Sequence, residues 1–248
     1  MSTSVAMLAA LFLVVFASNV IQGITGFAGT LIALPFAILL VDLETAKQVL
    51  NFLGLVASIA ILIKDHRSIS WSGVRKILTW MITGLIIGIA SYEVAPRAVL
   101  MVCLPLFVIA IAVRGLIKVI GHEQLRTRGP APARDAACLV AAGIVHGLFV
   151  SGGPLLVAYA TDRLPEKQRF RATLSACWIA LNSIILVQAA LCAKLTAPMM
   201  GYMAFSLLPM AAGVAVGGSL LKRMDQRTFM LISYLLLLAS GASLLISI

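Results

Sequence analysis

Two stretches of this chain hold residues able to do chemistry. They are Gln22-Gly23-Ile24-Thr25-Gly26-Phe27-Ala28-Gly29-Thr30 and His146-Gly147-Leu148-Phe149-Val150-Ser151-Gly152-Gly153-Pro154, and each interrupts an apolar run with glycines and small hydroxyls. Non-helical backbone at membrane depth survives only inside protein or beside water, because an amide facing lipid has nothing to bond. If each stretch turns the chain between two helices, the second helix starts at the tip. Its first N–H groups and its positive dipole end then face one small volume, which favours an anion. Gln22, Gly23, Thr25, Gly26, Phe27, Gly29 and Thr30 form one candidate half-site, and His146, Gly147, Ser151, Gly152, Gly153 and Pro154 the other. Pro154 suits a helix start, where its missing N–H has no intrahelical partner to lose. The two tips, entering from opposite faces, are expected to meet near the midplane.

Dipoles alone do not suffice. A helix end contributes about 0.3 to 2 kcal/mol toward an anion, whereas burying a charge costs several kcal/mol. A side-chain cation is needed, and Arg171 and Lys47 are the candidates, with Arg114 behind them. The competing reading makes Arg171 a cytoplasmic anchor beside Lys167 and Arg169, and lets Lys47 snorkel to an interface. His146 is the one histidine within an apolar run, so it either carries a coupling proton or is a buried structural imidazole. Its counterpart Gln22 cannot titrate. No Asp or Glu falls at the middle of a span, which removes the usual carboxylate proton carrier. Asn51, Asn182 and Gln188 read as interhelical amides. The glycines also allow a reading as packing sites alone.

The elements that position these residues follow from composition. The 248 residues are 61% hydrophobic and 11% charged, with mean hydropathy +1.07, too little charge to cover a water-soluble domain. The expected class is an all-α polytopic membrane protein. The net charge of +10 comes from short basic clusters between apolar spans, which a positive-inside bias explains without nucleic acid. No basic residue precedes the first apolar run, so that run reads as a retained helix rather than a signal peptide. Cys103, Cys138, Cys177 and Cys192 are dispersed without C-x-x-C spacing. They read as small buried hydrophobes, and no metal or cofactor is expected.

Hydrophobic runs predict helices over about 5 to 22, 28 to 41, 45 to 63, 74 to 92 and 98 to 119, then 136 to 149, 154 to 161, 172 to 191, 198 to 221 and 228 to 247. Asp42 and Glu44 favour the start of the third helix. The polar, proline-containing stretch 121–135 reads as a cytoplasmic linker between a first membrane repeat, 1–120, and a second, 136–248,. Gln22 and His146 stand 124 positions apart, as do Lys47 and Arg171, while Gly84 and Gly88 align with Gly213 and Gly217 at 129. The chain therefore reads as a duplication: two repeats, each a glycine-broken hairpin plus three transmembrane helices. With the linker cytoplasmic, 16 of the 19 Lys and Arg residues fall on that side. This makes the repeats inverted and places both termini outside. The Gly84 to Gly88 spacing permits either a homodimer contact or an internal one.

On these residues the chain resembles the TauE/SafE family of sulfite and organosulfonate exporters, small bacterial inner-membrane permeases. The resemblance is carried by Gly23-Ile24-Thr25-Gly26-Phe27-Ala28-Gly29 with Pro35, and by His146 to Pro154. It implies secondary transport, with export expected, of sulfite, sulfoacetate or a related sulfur oxyanion across the inner membrane. Val150, Ala28 and Thr30 depart from the glycine-rich pattern. The rivals are a passive anion channel and an intramembrane serine hydrolase built on Ser151 and His146.

Overall fold

The computed structural model describes residues 5–91, 106, 109–110, 112–117, 119–121, 132–150, 152–164 and 166–246. Most of the helix expected at 98–119 lies outside them, as do Ser151, Cys103 and most of the 121–135 linker. Every element among the described residues is helical: α1 (Val5–Thr25), α2 (Gly29–Leu40), α3 (Leu43–Asp65), a 3-10 turn (His66–Ser68), α4 (Trp71–Ala90), α5 (Pro132–Phe149), α6 (Gly153–Arg163), α7 (Lys167–Leu191), α8 (Ala197–Arg223) and α9 (Gln226–Ile246). Among the described residues, five segments are long and apolar enough to cross a membrane: Ala6–Thr25, Leu43–Ser68, Trp71–Ala90, Lys167–Leu191 and Ala197–Arg223. The second helices of the hairpins are shorter. At 12 and 11 residues, α2 and α6 rise only roughly 17 to 18 Å, against a hydrocarbon core of about 30 Å.

Several boundaries moved from their sequence expectations for local reasons. Helix α5 begins at Pro132 rather than 136, because a proline tolerates the first turn of a helix. Helix α7 begins at Lys167, not 172, where the Lys167 N–H donates to Gln226 Oε1 at 3.0 Å. Arg171 therefore lies inside a helix. Helix α3 begins at Leu43 rather than 45, with Asp42 at its start as expected: Asp42 Oδ1 accepts from Thr45 N–H at 3.0 Å, and Thr45 Oγ1 donates to Asp42 Oδ2 at 2.6 Å. The hydrogen bonds hold the Asp42 carboxyl below its ordinary value. Asp225 plays the same part ahead of α9 through Thr228 N–H at 2.8 Å.

The helices fall into two compact units, each drawing on both halves of the sequence. The first comprises 1–69 and 171–223, and the second 70–170 and 224–248. In the first unit, α1 packs against α8 and α3, and Leu11, Val15, Leu53, Ile61 and Met210 share its core. Phe12 and Phe205 meet edge to face at 6.3 Å. In the second, α4 packs against α5, and Asp135 is buried between Arg163 Nη2 at 2.9 Å and Lys76 Nζ at 3.0 Å. Large apolar side chains such as Leu39, Ile63 and Leu208 are exposed, as lipid-facing positions require.

One packing mode occurs in both units. In the first, a Cβ at Gly213 would lie 2.6 Å from the Phe16 carbonyl, and Gly217 presses on the Val20 carbonyl. In the second, Gly84 presses on the Val140 carbonyl and Gly88 on that of Ile144. Gly23 closes on the Val214 carbonyl and Gly147 on that of Leu85, each at 2.7 Å. Phe16, Val20 and Gly23 stand 124 positions before Val140, Ile144 and Gly147, and the α4 and α8 glycines differ by 129. Gly84 and Gly88 thus serve an internal contact, one of the two uses their spacing permits. Backbones this close leave no room for a β-carbon.

Candidate functional site

The first hairpin tip is built from the end of α1. Gly26 N–H donates to the Gln22 carbonyl at 2.7 Å, and Gly26 adopts φ +80°, a left-handed conformation in which glycine alone is unstrained. The chain then reverses through Phe27 and Ala28 into α2. Thr25 Oγ1 donates to the Ile21 carbonyl at 2.9 Å and accepts from the Phe27 and Ala28 N–H groups, each at 3.3 Å. Gln22 Oε1 accepts from Gly29 N–H at 2.8 Å. Residues 22–29 are all buried. The expectation of free donors at this tip therefore needs refining: three of its N–H groups are held by Gln22 and Thr25. Thr30 points elsewhere, its Oγ1 being 3.5 Å from where a Gly54 Cβ would stand on α3.

Arg171 is the cation brought to this tip. It is only 3% exposed. Its Cγ, Cα and carbonyl lie 3.1 to 3.3 Å from where a Gly26 Cβ would stand, and Nη2 lies 3.4 Å from the equivalent point on Gly218 of α8. The side chain thus crosses the glycine turn and ends against a second glycine. Nη1 sits 3.5 Å from Asp65 Oδ2, yet neither Arg171 Nε nor Asp65 Oδ2 has a hydrogen-bond partner among the described residues. Lys47 is buried and ion-paired to Glu44 at 3.7 Å, seven residues before Gly54, or roughly 10 Å along the α3 axis.

The second tip repeats the turn. Val150 N–H donates to the His146 carbonyl at 2.8 Å, and Leu156 N–H to the Gly152 carbonyl at 3.3 Å, matching Ile32 N–H to Ala28 in the first hairpin at 3.1 Å. Val150, 124 positions after Gly26, has φ +54°. The backbone here asks for glycine and receives a β-branched residue, which stores strain. Gly152 packs on His146, which is buried, with a Cβ position 2.7 Å from the histidine Cβ. Gly153 and Pro154 open α6, and Gly147 faces α4. Ser151 lies outside the described residues.

Asp65 and Gly218 were missed in the sequence. A signal for Asp65 was present: it is the last residue of α3, where the negative end of the dipole disfavours a carboxylate. It also stands alone between Lys64, His66 and Arg67, which are exposed while Asp65 is not. Asn51 Nδ2 donates to the Asn182 carbonyl at 3.1 Å, the interhelical use expected of these amides. Cys138 and Cys177 carry no disulfide or ligand among the described residues.

No curated protein and no solved structure matches the chain. The family model described as "Sulfite exporter TauE/SafE" matches residues 11–244, a range that includes both tips, Asp65 and Arg171. The chain belongs to the sulfite exporter TauE/SafE family.

Proposed function

We propose that this chain is a secondary transporter of small sulfur oxyanions, sulfite or an organosulfonate, and that Arg171 with the first hairpin tip binds the anion. The observation that carries this reading is Arg171 itself: a guanidinium buried in an apolar unit, laid across the Gly26 turn, with its Nε unbonded among the described residues. A charge-assisted hydrogen bond contributes about 1.5 to 3 kcal/mol, and the start of α2 adds about 0.3 to 2 kcal/mol. Together these reach the several kcal/mol that desolvating an anion costs.

In the proposed mechanism the two repeats lie inverted in the inner membrane with both termini outside, and they exchange access by alternating movement. In the second tip His146 takes the sequence place that Gln22 holds in the first. Counterflow in proteoliposomes is the test. A carrier loaded with unlabelled sulfite accelerates entry of labelled sulfite and saturates. Linear, non-exchanging conductance would instead identify a channel, and no response to sulfite, sulfoacetate or taurine would remove the substrate assignment.

A further inference from the structure

Arg171 and Asp65 form a pair whose local placement is unfavourable on both sides. Asp65 ends α3, at the negative pole of that helix, and Arg171 lies near the start of α7, at its positive pole,. Neither helix explains its charge. The pair also fails to close. The 3.5 Å separation leaves Asp65 Oδ2 and Arg171 Nε without hydrogen bonds among the described residues. A buried ion pair repays its desolvation only when geometry is good and the remaining donors and lone pairs are bonded, so this one is poorly matched for a purely structural contact. Lys64, His66 and Arg67 are exposed on the same segment, and among the described residues Arg171 is the cation paired with Asp65.

We infer that Asp65 is an internal stand-in for the transported anion: its carboxylate holds Arg171 when no substrate is bound and is displaced when one binds. This rests on the proposed anion site and adds the residue that sets its affinity. A carboxylate presents two oxygens to a planar guanidinium. The occupant able to replace it is an oxyanion with at least two acceptor oxygens, such as sulfite or a sulfonate, in preference to a spherical halide. An oxyanion reaching Nε and an Nη would make the hydrogen bonds that Asp65 does not. It would also place negative charge near the start of α7, where no acidic residue occurs in the first turn,. Competition of this kind keeps affinity low enough for release, as a transporter requires.

The test is sulfite binding by calorimetry to the full chain in detergent, comparing wild type with Asp65→Asn, Asp65→Glu and Arg171→Gln, and with chloride as the control anion. Removing the competitor is expected to tighten sulfite binding by at least about tenfold. Asp65→Glu, whose longer side chain can close on the guanidinium, is expected to weaken it. Sulfite binding that Asp65→Asn leaves unchanged or weakens, with Arg171→Gln still abolishing it, overturns the competitor role and leaves the anion site standing. Should Asp65→Asn not survive purification, Asp65→Glu decides, and binding equal to or tighter than wild type overturns the inference. Absence of sulfite binding in wild type, or binding indifferent to Arg171→Gln, overturns both the inference and the site.

Discussion

Gln22 Oε1 accepts a hydrogen bond from the Gly29 amide at 2.8 Å, so a side chain on the last turn of α1 caps the first residue of α2 across the glycine turn. The amide thereby occupies one of the donors that a helix start offers to an anion. Gln22→Ala leaves a buried N–H unbonded, at a cost of about 1 to 3 kcal/mol. The variant is expected to melt earlier than wild type and to regain part of the loss with sulfite, giving a larger ligand-induced shift. An equal shift in both proteins would mean that the anion does not use this amide.

Gly26 and Val150 adopt the same left-handed turn with different side chains. At Gly26 a β-carbon meets both the φ penalty, about 1 to 2 kcal/mol, and the Arg171 backbone at 3.1 Å. Gly26→Val is therefore expected to be strongly destabilising and to disturb anion binding. Val150→Gly is expected to be nearly neutral, because relief of about 1 to 2 kcal/mol of strain offsets the about 1.5 to 3 kcal/mol lost from a buried valine. Thermal melts of both variants decide it, and equal destabilisation would contradict the shared turn.

The glycines of α4 and α8 test the duplicated packing. Gly88→Ala and Gly217→Ala each place a methyl against a backbone carbonyl, Ile144 in one unit and Val20 in the other. Gly201, also on α8, has nothing within 4 Å of its Cβ position. Both packed variants are expected to lower the melting temperature, whereas Gly201→Ala leaves it unchanged or raises it, as alanine favours a helix by about 1 kcal/mol. Tolerance at Gly88 and Gly217 would contradict the close backbone contacts.

The Asp42 cap has a pH signature. Hydrogen bonds from the Thr45 side chain and backbone lower its pKa from 3.8 in the folded chain. A carboxyl with a depressed folded value contributes stability above the unfolded pKa and loses it as pH falls through the folded one. Asp42→Ala is expected to cost about 0.5 to 2 kcal/mol at neutral pH. The gap from wild type should narrow as pH drops below 3.8. A gap independent of pH would remove the carboxylate from the cap.

Much of this was legible because it is local. Glycines inside a 37-residue apolar run mark a turn in any context, and residues 124 and 129 positions apart make matched contacts between helix backbones. What sequence order did not reveal is which helices share a unit. Helix α8 packs on α1 and α4 on α5, a pairing across the two halves that depends on tertiary fit. The early start of α7 was hidden by its charged first turn, which reads as loop until Gln226 is seen accepting from Lys167. Asp65 was hidden for a similar reason. A charge at a helix end looks solvated until the chain 106 positions later supplies its partner.

The central claim is that Arg171 binds the anion, and ligand-induced thermal stabilisation of the purified chain by sulfite tests it most directly. Arg171→Gln is predicted to abolish stabilisation by sulfite, while Lys47→Gln, on a different stretch of α3, retains it. Stabilisation that survives Arg171→Gln, or that is lost only in Lys47→Gln, would contradict the account.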